Sequence, residues 1–238
     1  MLNLSEIERV LVVTAHPDDV DFGAAGTVAN MTDAGIEVVY CLVTDGQAGG
    51  FDRSIPRDKM ASIRRAEQTN AAAAVGVTRL VFLGHMDGAA VVDMAMRHDI
   101  SKVIREVRPQ VVITHNPMRS LDSTYGSHPD HIATGEATMC AVYPDARNPF
   151  AFPGSECAQL EDWAVSEVWV MLGAEANDFV DITEQLDRKI LALRCHESQH
   201  RDPDGMEERV REWWKSIAAE RGRPEGSSAE AFRVVDTK

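Results

Sequence analysis

Four uninterrupted runs of β-branched and aliphatic residues, each leading through a loop into a helix-type segment, constrain this chain most. Val10-Leu-Val-Val-Thr14 leads into a helical pattern over residues 22–34 that Gly35 closes. Val38-Val-Tyr-Cys-Leu-Val-Thr44 leads into Asp45-Gly-Gln-Ala-Gly-Gly50 and then, after Pro56, a helix over 60–75 ending at Gly76. A strand over 80–83 precedes a helix over 94–107; a strand over 111–114 opens into a polar loop and a helix over 129–142. Strands without polar alternation are buried on both faces, so these units predict an α/β, Rossmann-like fold: a mostly parallel sheet with helices on both faces. Further on, residues 168–172 and 179–182 read as short strands, 184–195 and 207–220 as helices, and 223–238 as loosely structured. With no internal repeat and no linker, residues 1–238 are expected to form one domain, the part from about 145 adding extra strands and helices.

A chain of 238 residues can bury a sufficient core without disulfides. Cys41, Cys140, Cys157 and Cys195 are far apart and form no C-x-x-C pair, which argues for packing roles rather than a thiolate metal site. A formal net charge of -14 opposes binding to nucleic acid or to anionic lipid, both of which reward clustered Lys and Arg. No apolar run reaches the length of a membrane span, and residues 1–10, with Glu6 and Glu8, do not resemble an export signal. The expectation is therefore a cytoplasmic protein working on a small molecule.

In open α/β sheets ligands sit beyond the carboxyl ends of the strands. After the first strand comes His16-Pro-Asp-Asp19, after the second Asp45-Gly46, and after the fourth His115-Asn116, with His128-Pro-Asp-His131 downstream. A hydrolytic zinc site needs about three nitrogen or carboxylate ligands, an open position for water and a nearby base. His16, Asp19 and one of His128 or His131 satisfy the ligand count and leave Asp18 as the base. His128 and His131, three apart at a helix start, share one face, and spacing alone does not choose between them.

Ala15-His-Pro-Asp-Asp-Val-Asp-Phe-Gly23, the Asp45-Gly46 loop, Ser127-His-Pro-Asp-His131 and His196-Glu-Ser-Gln199, in this order over about residues 9–200, resemble the PIG-L/LmbE-like N-acetylglucosaminyl deacetylases. The resemblance implies the LmbE-like fold and Zn2+, or another divalent metal, held by His16, Asp19 and His131. It implies Asp18 as the general base, and His128, held by Asp130, as the residue that stabilises the oxyanion or protonates the leaving amine. Arg64 matches a position near the sugar, Asp87 an acceptor for sugar hydroxyls, and Tyr125 a tyrosine that precedes the H-P-D-H motif, here with one residue more between them. The implied reaction is removal of an N-acyl group, acetyl above all, from an amino-sugar-like small molecule, by a protein whose relatives form homo-oligomers, trimers or hexamers. Mycothiol S-conjugate amidases and deacetylases of natural-product intermediates belong to the same family and are the alternatives for the substrate.

Simpler roles compete at each position. A lone H-P-D-D loop would serve as a helix cap, but a second His/Asp motif after another strand of the same sheet favours a metal centre. A non-catalytic metal or sugar binder would have no use for Asp18 or for His128 with Asp130, and a nucleotide-binding Rossmann protein would carry G-x-G-x-x-G where this chain places two carboxylates. The Asp45-to-Gly50 loop reads equally well as a plain turn, and Arg64 as part of a solvated helix face. His196 and His200 read as caps at a helix C-terminus. Trp213 and Trp214 read as the surface and core of one helix.

Overall fold

The computed structural model describes all residues except 122, 123, 125, 172–174 and 238. Strands β1 (Arg9–Thr14), β2 (Glu37–Thr44), β3 (Arg79–His85), β4 (Val111–His115), β5 (Glu167–Met171), β6 (Asp178–Asp181) and β7 (Ala229–Asp236) form one sheet in the order β3-β2-β1-β4-β5-β7-β6. The pairs from β3 to β5 are parallel, whereas β7 runs antiparallel to both β5 and β6. Around the sheet lie helices α1 (Asp19–Gly23), α2 (Ala25–Asp33), α3 (Arg57–Ala74), α4 (Met94–Val107), α5 (Pro129–Cys140), α6 (Leu186–Arg194) and α7 (Pro203–Glu220). Among the described residues no helix is long and apolar enough to cross a membrane.

The apolar runs form the centre of the sheet because both of their faces are covered. Val10 and Val12 of β1, with Tyr40 and Leu42 of β2, pack towards Val28 of α2 and Ala72 of α3. Leu11 and Val13, with Val39 and Cys41, face Met96, Ile100 and Ile104 of α4 and Ala137 of α5 on the other side. This is the expected α/β, mostly parallel sheet. Strand β1 pairs with β2 on one side and β4 on the other, so the chain reverses its winding direction at the β1/β4 pair. The crevice beyond those two strand ends is where such folds bind ligands.

Two expectations are corrected. The residues expected to be loose after 223 contain β7, which pairs in register over Glu167↔Asp236 to Met171↔Phe232 and joins β6 to the sheet. Its first residues, Ala-Glu-Ala, have low strand propensity; the open edge of β5 and the burial of Phe232 decide its conformation. The helix expected over 22–34 is two helices that meet at Ala24, whose φ of -147° breaks the α geometry. The second is capped from β7: the fully buried Glu230 carboxylate accepts from the N–H groups of Gly26, at 3.0 Å, and Thr27, at 2.7 Å. Lys189 Nζ of α6 reaches the same carboxylate at 2.6 Å and the Phe22 carbonyl at 2.7 Å, which joins β7, α1, α2 and α6 in one buried polar cluster. Trp214 of α7 is buried against α6, whereas Trp213 beside it is exposed.

Candidate metal centre and active site

The loop after β1 and the first turn of α5 meet in the β1/β4 crevice and bring His16, Asp19 and His131 together. His16 Nδ1 lies 3.2 Å from His131 Nε2 and 3.3 Å from Asp19 Oδ2, and His131 Nε2 lies 3.0 Å from Asp19 Oδ1. Two imidazole nitrogens at such a distance, both facing a carboxylate, can share a proton or a cation between them. Ligand atoms about 2.0–2.1 Å from a tetrahedral zinc lie about 3.3–3.4 Å apart, so this nitrogen/oxygen donor set fits such an ion. His131 and His128 are the two histidines the spacing left open: His131 lies in this group, and His128 also offers a ring nitrogen within 4.8 Å of those of His16 and His131.

The carboxylates around His16 determine which nitrogen it offers. Its Nε2 lies 3.1 Å from Asp87 Oδ1 and 3.2 Å from Asp130 Oδ2, so these carboxylates hold a proton on Nε2, and Nδ1 is the nitrogen that faces Asp19 and His131. Burial disfavours a charged His16, yet Asp19, Asp130 and Asp87 push it up to about 12. Three carboxylates thus surround this one imidazole. For Asp19, burial works upward, but His131, His115 and His16 hold the carboxyl well below the usual carboxylate range. His16 N–H also donates to Asp19 Oδ2 at 2.7 Å and locks that side chain against its own loop.

Asp18 points elsewhere because its backbone is left-handed, at φ 92° and ψ -28°. Its Oδ2 lies 3.2 Å from Arg64 Nη2, with the side chain 17% exposed. Burial raises its pKa, and Asp19 adds to the rise against the opposing charge of Arg64. Arg64, expected beside the sugar, is a buried clamp: its guanidinium donates to the Pro17 carbonyl and, at 2.9 Å, to the Gly46 carbonyl.

The carboxylates of Asp87 and Asp130 both reach His16. The second oxygen of Asp87 accepts from Ala48 N–H at 2.8 Å, so this carboxylate also ties His16 to the Gly-rich loop. Asp130, implied to hold His128, turns its carboxylate to His16 and to the N–H groups of Gly88 and Ala90. Its contact with His128 runs through the backbone: Asp130 N–H donates to His128 Nδ1 at 3.2 Å. That bond leaves Nε2 of a neutral His128 as an N–H donor, on an exposed ring whose centroid lies 5.0 Å from that of His16. Tyr125 lies outside the described residues.

His115, noted only as the residue after the fourth strand, is part of the site. Its ring stacks on His131 with centroids 4.2 Å apart and planes 10° apart, and its Nε2 lies 3.1 Å from both Ala15 N and Asp19 Oδ2. Burial brings it down to about 4, against the pull of Asp19, and its Nε2, with Asp19 and His131, forms a second group of side chains that could hold a metal. Its place at the C-terminal end of β4, beside the winding reversal, was the sequence signal for it. Helix α5 approaches this point through Gly135, where a Cβ would lie 2.5 Å from the His115 carbonyl oxygen.

His196 was expected to cap a helix end. Instead its Nε2 lies 2.8 Å from Asp21 Oδ2, with both side chains fully buried.

The chain matches known proteins over this whole framework. The model of the PIG-L family, described as GlcNAc-PI de-N-acetylase, matches residues 11–142. A diacetylchitobiose deacetylase of Thermococcus kodakarensis is 31% identical, over 97% of this chain and 84% of that protein. A 1D-myo-inositol 2-acetamido-2-deoxy-α-D-glucopyranoside deacetylase of Kineococcus radiotolerans is 30% identical, over 82% of this chain and 70% of its own. Among solved structures, N,N'-diacetylchitobiose deacetylase from Pyrococcus horikoshii, complexed with the inhibitor MPG, superposes with a TM-score of 0.89 at 28% identity, covering 98% of this chain and 85% of that one. With the family's motifs folded into one crevice and its model matched across β1 to α5, the chain belongs to the PIG-L family of de-N-acetylases and is an enzyme of the amide-hydrolase class.

Proposed function

We propose that this enzyme is a zinc-dependent N-deacetylase that hydrolyses the acetamido group of an amino sugar or amino-sugar-like small molecule. The observation that carries the reading is the cluster of His16 Nδ1, Asp19 and His131 Nε2 within 3.0–3.3 Å of one another, with a separately oriented carboxylate, Asp18, next to it in the chain. The relatives' substrates, diacetylchitobiose and an inositol-linked 2-acetamido sugar, support the substrate class.

His16, Asp19 and His131 would hold the ion. When bound, zinc lowers the pKa of water to about 7 and polarises the amide carbonyl. Asp18 accepts a proton from the attacking water, its carboxylate steadied by Arg64 and partly open to the crevice. His128 Nε2–H donates a hydrogen bond to the developing oxyanion from the opposite side. Asp18, once protonated, carries the proton that the departing amine requires.

Metal content of the purified protein, together with amine release from GlcNAc, diacetylchitobiose, GlcNAc-inositol and GlcNAc-malate, tests this. About one zinc per chain and release from a member of the panel are expected; a protein that takes up no divalent metal on reconstitution overturns the reading. The two histidines of the second motif should separate. His131→Ala should lose its metal on dialysis, whereas His128→Ala should keep it and lose about 100- to 1000-fold in kcat, the range for removing one oxyanion donor. Metal analysis showing the reverse pattern would exchange their roles.

A further inference from the structure

The His196-Glu-Ser-Gln199 segment is a motif of the sequence that the reaction leaves without a task, and its side chains make specific buried contacts. Asp18 has a positive φ although it is not glycine, a conformation that persists only when its surroundings over-determine it. Asp18 N–H donates to Gln68 Oε1 at 2.8 Å, and Gln68 Nε2 donates to Asp21 Oδ2 at 2.9 Å. His196 Nε2 donates to the same Asp21 oxygen at 2.8 Å. Asp21, Gln68 and His196 are each 0% exposed.

The direction of this chain of bonds follows from the chemistry of its members. The Asp18 backbone N–H can only donate, so the amide oxygen of Gln68 faces it and the NH2 of the same amide is turned to Asp21. His196 supplies the second donor that keeps the buried Asp21 carboxylate in place. Burial lowers the pKa of His196, but its bond to Asp21 and that carboxylate's charge raise it overall.

The rest of the segment grips the same region from other sides. Ser198 donates from its N–H and its Oγ–H to the carboxylate of Glu67, the residue before Gln68, at 2.7 Å each. Gln199 Oε1 accepts from Gly50 N–H at 3.1 Å. A Cβ on Gly49 would meet Gln199 Oε1 at 2.7 Å and Arg64 Nη1 at 2.5 Å, so the Gly-rich loop is held between this segment and the arginine that touches Asp18.

We propose that His196-Glu-Ser-Gln199 is a positioning device that holds Asp18 in its left-handed conformation through Asp21 and Gln68. The proposal rests on Asp18 being the base. His196 touches neither substrate nor metal donors; it acts through two residues, and its loss is felt as misplacement of the base.

The test is steady-state kinetics, zinc content and hydrogen exchange at the Asp18 amide, measured on wild type, His196→Leu, Gln68→Met and His196→Gln. A misplacement of about 1 Å costs on the order of 100-fold in rate, so His196→Leu and Gln68→Met should lose about that much kcat, with KM changed by less than about threefold and zinc unchanged. The Asp18 amide should exchange at least about tenfold faster in both. Glutamine can place an amide N–H where histidine places Nε2, so His196→Gln should recover most of the lost kcat. Should His196→Leu fail to fold, Gln68→Met still decides. Unchanged kcat and Asp18 exchange in folded variants, zinc lost in step with activity, or no recovery by His196→Gln would each overturn the proposal. If wild type releases no amine from any substrate, the deacetylase reading fails, while faster Asp18 exchange in the variants still establishes the positioning.

Discussion

Asp18→Asn is expected to purify with the wild-type amount of zinc and the wild-type melting temperature, and to turn over about 10²–10⁴-fold more slowly. Asparagine preserves the shape of the side chain, can donate or accept next to Arg64, and tolerates a left-handed backbone better than most residues, so the φ of 92° persists. What it lacks is a group that can take a proton from water. Asp18→Ala should lose the same turnover and also about 1–3 kcal/mol of stability, because alanine pays the full cost of the left-handed conformation. Asp19→Asn, one residue further on, should instead lose metal, since the Asp19 oxygens are the ones within 3.0–3.3 Å of His131 and His16. Zinc analysis beside kcat separates the two carboxylates. Metal lost from Asp18→Asn and kept in Asp19→Asn would mean that their roles are reversed.

Glu230→Gln should be the most destabilising single exchange outside the active site, at about 3–5 kcal/mol, because it leaves the Lys189 ammonium uncompensated in a fully buried position. At 2–4 °C per kcal/mol for a chain of this size, the melting temperature should fall by roughly 10 °C. The pH dependence has a definite sign. Burial lowers the pKa of Lys189 below its unfolded value, and Glu230 opposes that shift. A lysine depressed in the folded state costs stability at every pH below its folded pKa and stops doing so above its unfolded value, about 10.4. Without Glu230 the depression deepens, so the deficit of the variant should narrow as the pH is raised towards 10. Adding Lys189→Met to Glu230→Gln should restore part of the lost stability, because it removes the buried charge while the amide oxygen still accepts from an N–H of α2. Thermal denaturation of the single and double variants at pH 7 and 9.5 measures this, and a single variant that melts like wild type would show the pair to be dispensable.

The sequence made the central strands legible for a physical reason: residues buried on both faces leave long apolar runs with no polar interruption. It also made His16, Asp19 and the His128/His131 pair visible as candidates, because His16 and Asp19 follow one such run directly and the two histidines open α5 after another. What stayed hidden depends on contacts between distant segments. How His128 and His131 sit relative to His16 depends on the packing of α5 through Gly135 against the end of β4. The targets of the Asp87 and Asp130 carboxylates depend on which backbone N–H groups of residues 48, 88 and 90 come within reach. The pairing of His196 with Asp21 spans 175 positions, and no local pattern separates it from a helix cap. Strand β7 hides for a similar reason: a charged residue at its centre, Glu230, is stabilised by α2 and α6, not by neighbours in the sequence.

The place of β7 also bears on how the enzyme is made. Translation delivers β5 and β6 first, yet β7, the strand that lies between them, emerges only after α6 and α7. Until then β6 has no partner, the first N–H groups of α2 wait for an acceptor 203 or 204 positions downstream, and the Lys189 charge has no counter-ion. Strands β1 to β4 and helix α5, which position His16, Asp19 and His131, can assemble during synthesis, as early-emerging elements generally do. A nascent chain paused shortly before Ala229 would therefore present a formed catalytic crevice on a molecule with an unfinished edge, an open template for pairing with another chain.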